Sequence, residues 1–175
     1  DGQNQILEEL LEKVQKPARY TGGEMNSQIK PWKEAGIHFA FCFPDTYEIA
    51  MSHLGLKILD YIINQLPYAL CERVFMPWPD LGDALRENHI PLFSLESRTP
   101  LSEFDVVGFT LQYEMSFTNI LDMLNLGGIP PLSADRGEDS PLVIAGGPCA
   151  CNPEPLAPFI DLFQIGDGEE MMVEF

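Results

Sequence analysis

Four short segments carry the residue types that could hold a ligand. They are Pro44-Asp45-Thr46-Tyr47, Thr110-Leu111-Gln112-Tyr113-Glu114, Gly146-Gly147-Pro148 and Gly166-Asp167-Gly168-Glu169. Each follows a run of apolar residues. The glycines matter because a residue without Cβ lets a large flat ligand approach the backbone. Each segment also has a structural reading. Gly146-Gly147 serves equally well as a tight exit from a strand, Asp45 as a helix cap, and Tyr113 and Glu114 as solvated loop. No Gly-x-Gly-x-x-Gly opens the first helix and no Gly-Lys-Ser/Thr occurs, so dinucleotide and P-loop readings lose support. The cysteines, Cys42, Cys71, Cys149 and Cys151, contain no Cys-x-x-Cys pair. Cys149-Ala150-Cys151 supplies two thiols without further ligands, a weak metal signal. His38, His53 and His89 read as structural, as do Trp32 and Trp78. No residue is singled out as catalytic or as a metal ligand.

The elements that must position these segments alternate. Residues 37–43, 69–76, 105–111, 141–145 and 160–165 are apolar runs of strand length, as expected of strands buried on both faces of a parallel sheet. Residues 91–96 suggest an accessory strand. Ile6, Leu7, Leu10, Leu11 and Val14 recur at helical spacing, and Pro17 ends that helix. Residues 18–35 are polar and read as an arm. Asp45 and Glu48 stand three apart, as in a capping box, ahead of a stripe of Tyr47, Met51, Leu54, Ile58 and Ile62 that predicts one helix. Further helices are expected from Asp80 to about Asn88, from Ser116 or Thr118 to Leu126, and from residue 169 onward.

This β-α alternation predicts an α/β fold: an open, parallel, five-stranded, flavodoxin-like sheet in the order 2-1-3-4-5, with helices on both faces. Residues 1–35 are expected to form an N-terminal helix and arm, and residues 36–175 a Rossmann-type domain. Ligands of such sheets bind beyond the carboxyl ends of the strands, where the four segments converge.

Composition narrows the function classes. The chain has 175 residues, with 10 Lys and Arg against 27 Asp and Glu, a formal charge of −17. Such a balance disfavours nucleic acid and anionic membrane surfaces, both of which reward basic residues. At 45% hydrophobic residues it is an ordinary globular chain rather than a disordered one. The first residues lack a basic-then-apolar leader, and no apolar run is long enough to span a bilayer. Reduced cysteines in a cytoplasmic setting are expected.

Longer strings carry a family resemblance: KPARYTGGE (16–24), FCFPDTYEIAMSHLGLKIL (41–59), ERVFMPW (72–78), PLFSLES (91–97), GFTLQYEMSFTNIL (108–121) and PLVIAGGPCACNPEPLAPFIDLFQIGDGEE (141–170). Together they resemble the N-terminal domain of B12-binding-domain radical SAM proteins. The resemblance implies a cobalamin-binding-like module followed by a radical SAM domain. That partner, expected downstream of Phe175, would carry a [4Fe–4S] cluster and S-adenosylmethionine.

Better-known cobalamin domains have Asp-x-His-x-x-Gly after the first strand, the His ligating cobalt. Here Tyr47 and Ala50 stand in place of the His and Gly. A phenol is a poor ligand near neutral pH, so the resemblance implies cobalamin without a His ligand. By the same comparison, Asp45, Thr46, Tyr47, Thr110, Leu111, Gln112, Gly146, Gly147, Gly166 and Gly168 would contact the cofactor. The alternatives are a degenerate fold that binds no cofactor and serves as a docking module, and a free-standing flavin-binding domain.

Overall fold

The structure, a computed structural model, describes residues 2–25 and 27–175; positions 1 and 26 of the expected N-terminal segment lie outside them. Five strands form one all-parallel sheet in the order β2-β1-β3-β4-β5. They are β1 (Ile37–Phe43), β2 (Ala69–Phe75), β3 (Val106–Thr110), β4 (Leu142–Gly146) and β5 (Leu162–Gln164). The architecture and order predicted from the apolar runs are the ones found. The last run forms only a three-residue edge strand.

The helices are α1 (Gly2–Leu11), α2 (Tyr47–Ser52), α3 (Leu54–Gln65), α4 (Pro79–Glu87), α5 (Phe117–Leu126) and α6 (Gly168–Glu174). Among the described residues, no helix is long and apolar enough to cross a membrane. The sheet separates two apolar clusters. Phe39, Phe41, Phe43, Cys71, Phe75 and Ile144 face Leu56 and Ile63 of α3. On the other side, Cys42, Val74, Val107, Phe109 and Val143 meet Leu81, Leu85, Ile120 and Leu124 of α4 and α5.

Three local expectations are corrected. The single helix expected from Tyr47 to Ile62 is two, because His53 adopts an extended backbone (φ −86°, ψ 114°) and its ring caps α3. The Asp45–Glu48 capping box does not form. Asp45 Oδ1 accepts from the neighbouring Thr46 N–H, while Glu48 is taken by Lys16 and Arg19. Residues 91–96 do not join the sheet. Their backbone groups are shared among Leu126, Arg73, Thr99 and Leu101, leaving one antiparallel bridge between Phe93 and Pro100.

The polar stretch after α1 is tied down. Leu7, Leu11, Val14 and Tyr20 join the core. Glu24 pairs with the nearly inaccessible Arg73 of edge strand β2, whose second carboxylate is Glu96. Burial raises the Glu96 carboxyl to about 7 in spite of the guanidinium beside it.

Candidate functional site

A cavity of about 160 Å3 opens between α3, α6 and one face of the sheet, against Phe39 and Phe41 of β1 and toward the carboxyl ends of β3, β4 and β5. Register makes its floor. Phe41 lies opposite Gly108, and Gly108 opposite Ile144, so one row crosses three strands. Leu56, Leu59 and Ile63 of α3 form a wall, and Met171 and Met172 of α6 close the far side. The face of α3 that meets the sheet and lines the cavity is thus Leu56, Leu59 and Ile63, not the expected Leu54, Ile58 and Ile62, and Leu54 is exposed.

The polar groups sit at the rim. Thr110 ends β3, and its Oγ1 accepts from Gln112 Nε2 at 2.6 Å. Gln164, Glu169 and His53 complete the polar lining, and no Lys or Arg lines the cavity among the described residues. Gly147 turns the chain out of β4 at φ 108°, ψ −177°, a conformation essentially reserved for glycine. A Cβ there would also meet the Leu111 backbone at 3.0 Å. The strand-exit reading and the ligand-approach reading of this residue are therefore compatible, since Gly147 lines the cavity as well.

Of the residues expected to contact a ligand, Thr110, Gln112, Gly146, Gly147, Gly166 and Gly168 surround this one cavity. The others lie elsewhere. Leu111 is fully buried in the opposite core cluster, where its N–H donates to Gly146 O and its carbonyl accepts from Cys149 N–H. Asp45 and Thr46 line a separate groove of about 320 Å3 with Trp78, Arg86, Asn119 and Asp122. Asp45 Oδ2 accepts from the Tyr113 hydroxyl at 3.1 Å, so the loops after β1 and β3 are joined there. Tyr47 faces the arm. Its hydroxyl donates to Glu24 Oε1 at 2.9 Å and its ring meets Phe75 edge-on.

His53 was expected to pack only. It lines the cavity, and the helical stripe could not reveal this, because the chain leaves helical geometry at that residue. His38 and Trp32 are structural, stacked at 3.9 Å, with His38 bound to Asp105 and to the Trp32 carbonyl. Burial raises Cys42 and Cys71 well above their usual range, and desolvation with the nearby Glu114 raises Cys149. Among the described residues, no group of three or more His, Cys, Asp or Glu is placed to hold a metal ion.

A family described as radical SAM proteins, N-terminal, matches residues 55–175, more than half of the chain. An uncharacterized protein of Methanocaldococcus jannaschii is 27% identical over 92 residues, 51% of this chain and 19% of that protein. The chain thus spans about a fifth of the length of the curated relative it matches.

Proposed function

The chain belongs to the family of N-terminal domains of radical SAM proteins, and we propose that it is a cobalamin-holding lobe set against a radical SAM domain of the same protein. The observation that carries this reading is the convergence of Thr110, Gln112, Gly146, Gly147, Gly166 and Gly168 on one cavity at the carboxyl end of the sheet. The [4Fe–4S] cluster and S-adenosylmethionine belong, in this reading, to the other domain.

The residues fit such a guest in one particular way. A cavity of about 160 Å3 is smaller than the ~300 Å3 at the low end of small-molecule pockets. It therefore takes a ring-sized part of the cofactor, and the corrin would lie on the glycine-bearing rim. The apolar walls of Leu56, Leu59, Ile63 and Ile144 suit a flat ring. Tyr47, standing where a cobalt-ligating His would be, is engaged with Glu24, which supports cobalamin held without a protein ligand on cobalt. When bound, cobalamin supplies group-transfer chemistry at cobalt. The chain's own residues orient the ring and exclude water from its buried part.

A second reading rests on a separate observation. Ile49, Leu54, Met115 and Ile165 leave apolar side chains exposed in the segments that follow β1, β3 and β5, Met115 at 83%. In that reading the fold is a docking module with no cofactor. Titration with hydroxocobalamin, followed by absorbance after gel filtration and by calorimetry, separates the two. Stoichiometric corrinoid retention, lost in a folded Leu59→Trp variant that fills the cavity, is the expected result. Protein free of corrinoid after exposure to excess would abandon the cofactor reading and leave the docking module.

A further inference from the structure

His53 sits where α2 stops and α3 starts, and its imidazole is held from three directions. Nδ1 accepts the Leu56 N–H at 3.1 Å, the N-cap bond of α3. The ring lies against Gly55 so closely that a Cβ there would meet Cε1 at 2.9 Å. The Phe43 ring stands 5.3 Å away, tilted by 54°. A side chain at 55 would push the imidazole aside. The cap bond selects its tautomer. A neutral imidazole that accepts at Nδ1 carries its proton on Nε2.

That N–H is unused by the protein. Among the described residues no side chain or backbone group bonds Nε2. It is not sealed off either, since among the described residues the one buried side-chain nitrogen or oxygen without a partner is Arg136 Nε. His53 and Gly55 both line the cavity. The surroundings restrict what the N–H could meet. No cationic side chain lines the cavity to balance an anion, and Glu169 adds a carboxylate to its rim. The walls are otherwise apolar, with the Thr110 hydroxyl and the side-chain amides of Gln112 and Gln164 as neutral partners.

We infer that His53 is a ligand-binding hydrogen-bond donor whose Nε2–H meets an uncharged acceptor, an amide carbonyl or ring nitrogen, on a planar guest in this cavity. This deepens the cobalamin reading and rests on it for the identity of the guest. It also assigns His53 a role opposite to metal ligation. A nitrogen that keeps its proton has no lone pair to give cobalt.

The test uses the whole chain labelled with 15N-histidine. Long-range 1H–15N spectra should show His53 as the Nε2–H tautomer. On addition of hydroxocobalamin that proton should remain, shift and exchange more slowly with solvent. His53→Asp and His53→Asn both retain an acceptor for the α3 cap, Asp with no donor and Asn with a shorter one. Both should keep the melting temperature, and Asp should weaken cobalamin binding at least tenfold, Asn less. The inference is overturned if the Nδ1–H tautomer is found, or if the signal is unmoved while cobalamin is bound. It is overturned equally if both variants bind as tightly as the parent, or if histidine-nitrogen splitting appears in the cob(II)alamin electron paramagnetic resonance spectrum. Should the parent bind no cobalamin, the cofactor reading fails by itself. Benzimidazole, an uncharged ring with one acceptor nitrogen, then decides: a shifted Nε2–H signal supports the donor and an unmoved one removes it. Inorganic phosphate should leave the signal in place, and a phosphate-induced shift would overturn the claim that the acceptor is uncharged.

Discussion

Tyr47 donates its hydroxyl to Glu24 Oε1 at 2.9 Å, across 23 positions of sequence. The other oxygen of that carboxylate accepts from Arg73 Nη2, also at 2.9 Å. One acidic residue of the arm therefore fixes both the phenol after β1 and the guanidinium of the edge strand.

Placing a histidine at position 47 should not create a cobalt ligand. The side chain there is directed to Glu24 and Phe75 rather than into the cavity. In Tyr47→His protein exposed to cob(II)alamin, the electron paramagnetic resonance spectrum should lack histidine-nitrogen splitting. Its appearance would mean that the loop swings freely and that the Glu24 contact does not hold it.

Removing Glu24 should loosen the arm. Arg73 keeps Glu96 as a partner, so the loss is one charged hydrogen-bonded contact and the Tyr47 bond, not an unpaired buried cation. Glu24→Ala should cost about 1.5–3 kcal/mol in denaturant unfolding. Hydrogen exchange should rise in residues 18–25 before it rises in β1 or β3. An unchanged midpoint would show the pair to be energetically neutral.

Glu96 sets a pH dependence. Desolvation raises its folded-state value to about 7 from an ordinary 4.5, against the pull of Arg73. Between those values the folded chain binds more protons than the unfolded chain. Its contribution to stability is therefore greatest at the acid end of that window and declines as pH rises toward 7. Melting curves from pH 5 to pH 7.5 should show this decline, and Glu96→Gln should flatten it. A slope unaltered by the substitution would place the titration elsewhere.

Gly147→Ala should destabilise the fold and distort the cavity rim together. The backbone at φ 108°, ψ −177° admits a side chain only at a cost of order 1–3 kcal/mol. The added methyl would also press on the Leu111 backbone, which holds the turn through its bond to Cys149. Gly146→Ala, with ordinary contacts near 3.5 Å, should be much milder. Equal effects of the two substitutions in thermal unfolding would contradict this account.

The sheet was legible because its strands are covered on both sides, so runs such as residues 37–43 are nearly all apolar and alternate with helices as a parallel sheet requires. The position of Thr110, Gln112 and the glycines followed from strand ends, which parallel topology gathers at one edge. What escaped the pattern depends on tertiary partners. The helical spacing of Tyr47, Met51, Leu54 and Ile58 runs straight through His53, and only the bond from its own ring to Leu56 N–H explains the break. Tyr47 turns from the cavity because Glu24 reaches it from the arm. Residues 91–96 look strand-like by composition, yet their backbone partners are scattered over three other segments.

The joint between Glu24 and Arg73 bears on where this polypeptide can be trimmed. Recombinant protein begun at residue 36 would strip Leu7, Leu11, Val14 and Tyr20 from the hydrophobic interior and take Glu24 from Arg73 and Lys30 from the Ala69 carbonyl. Apolar surface uncovered in this way invites self-association. Expression work on this lobe is therefore best served by retaining the leading helix, since the shorter product would be prone to clump for reasons unrelated to any cofactor.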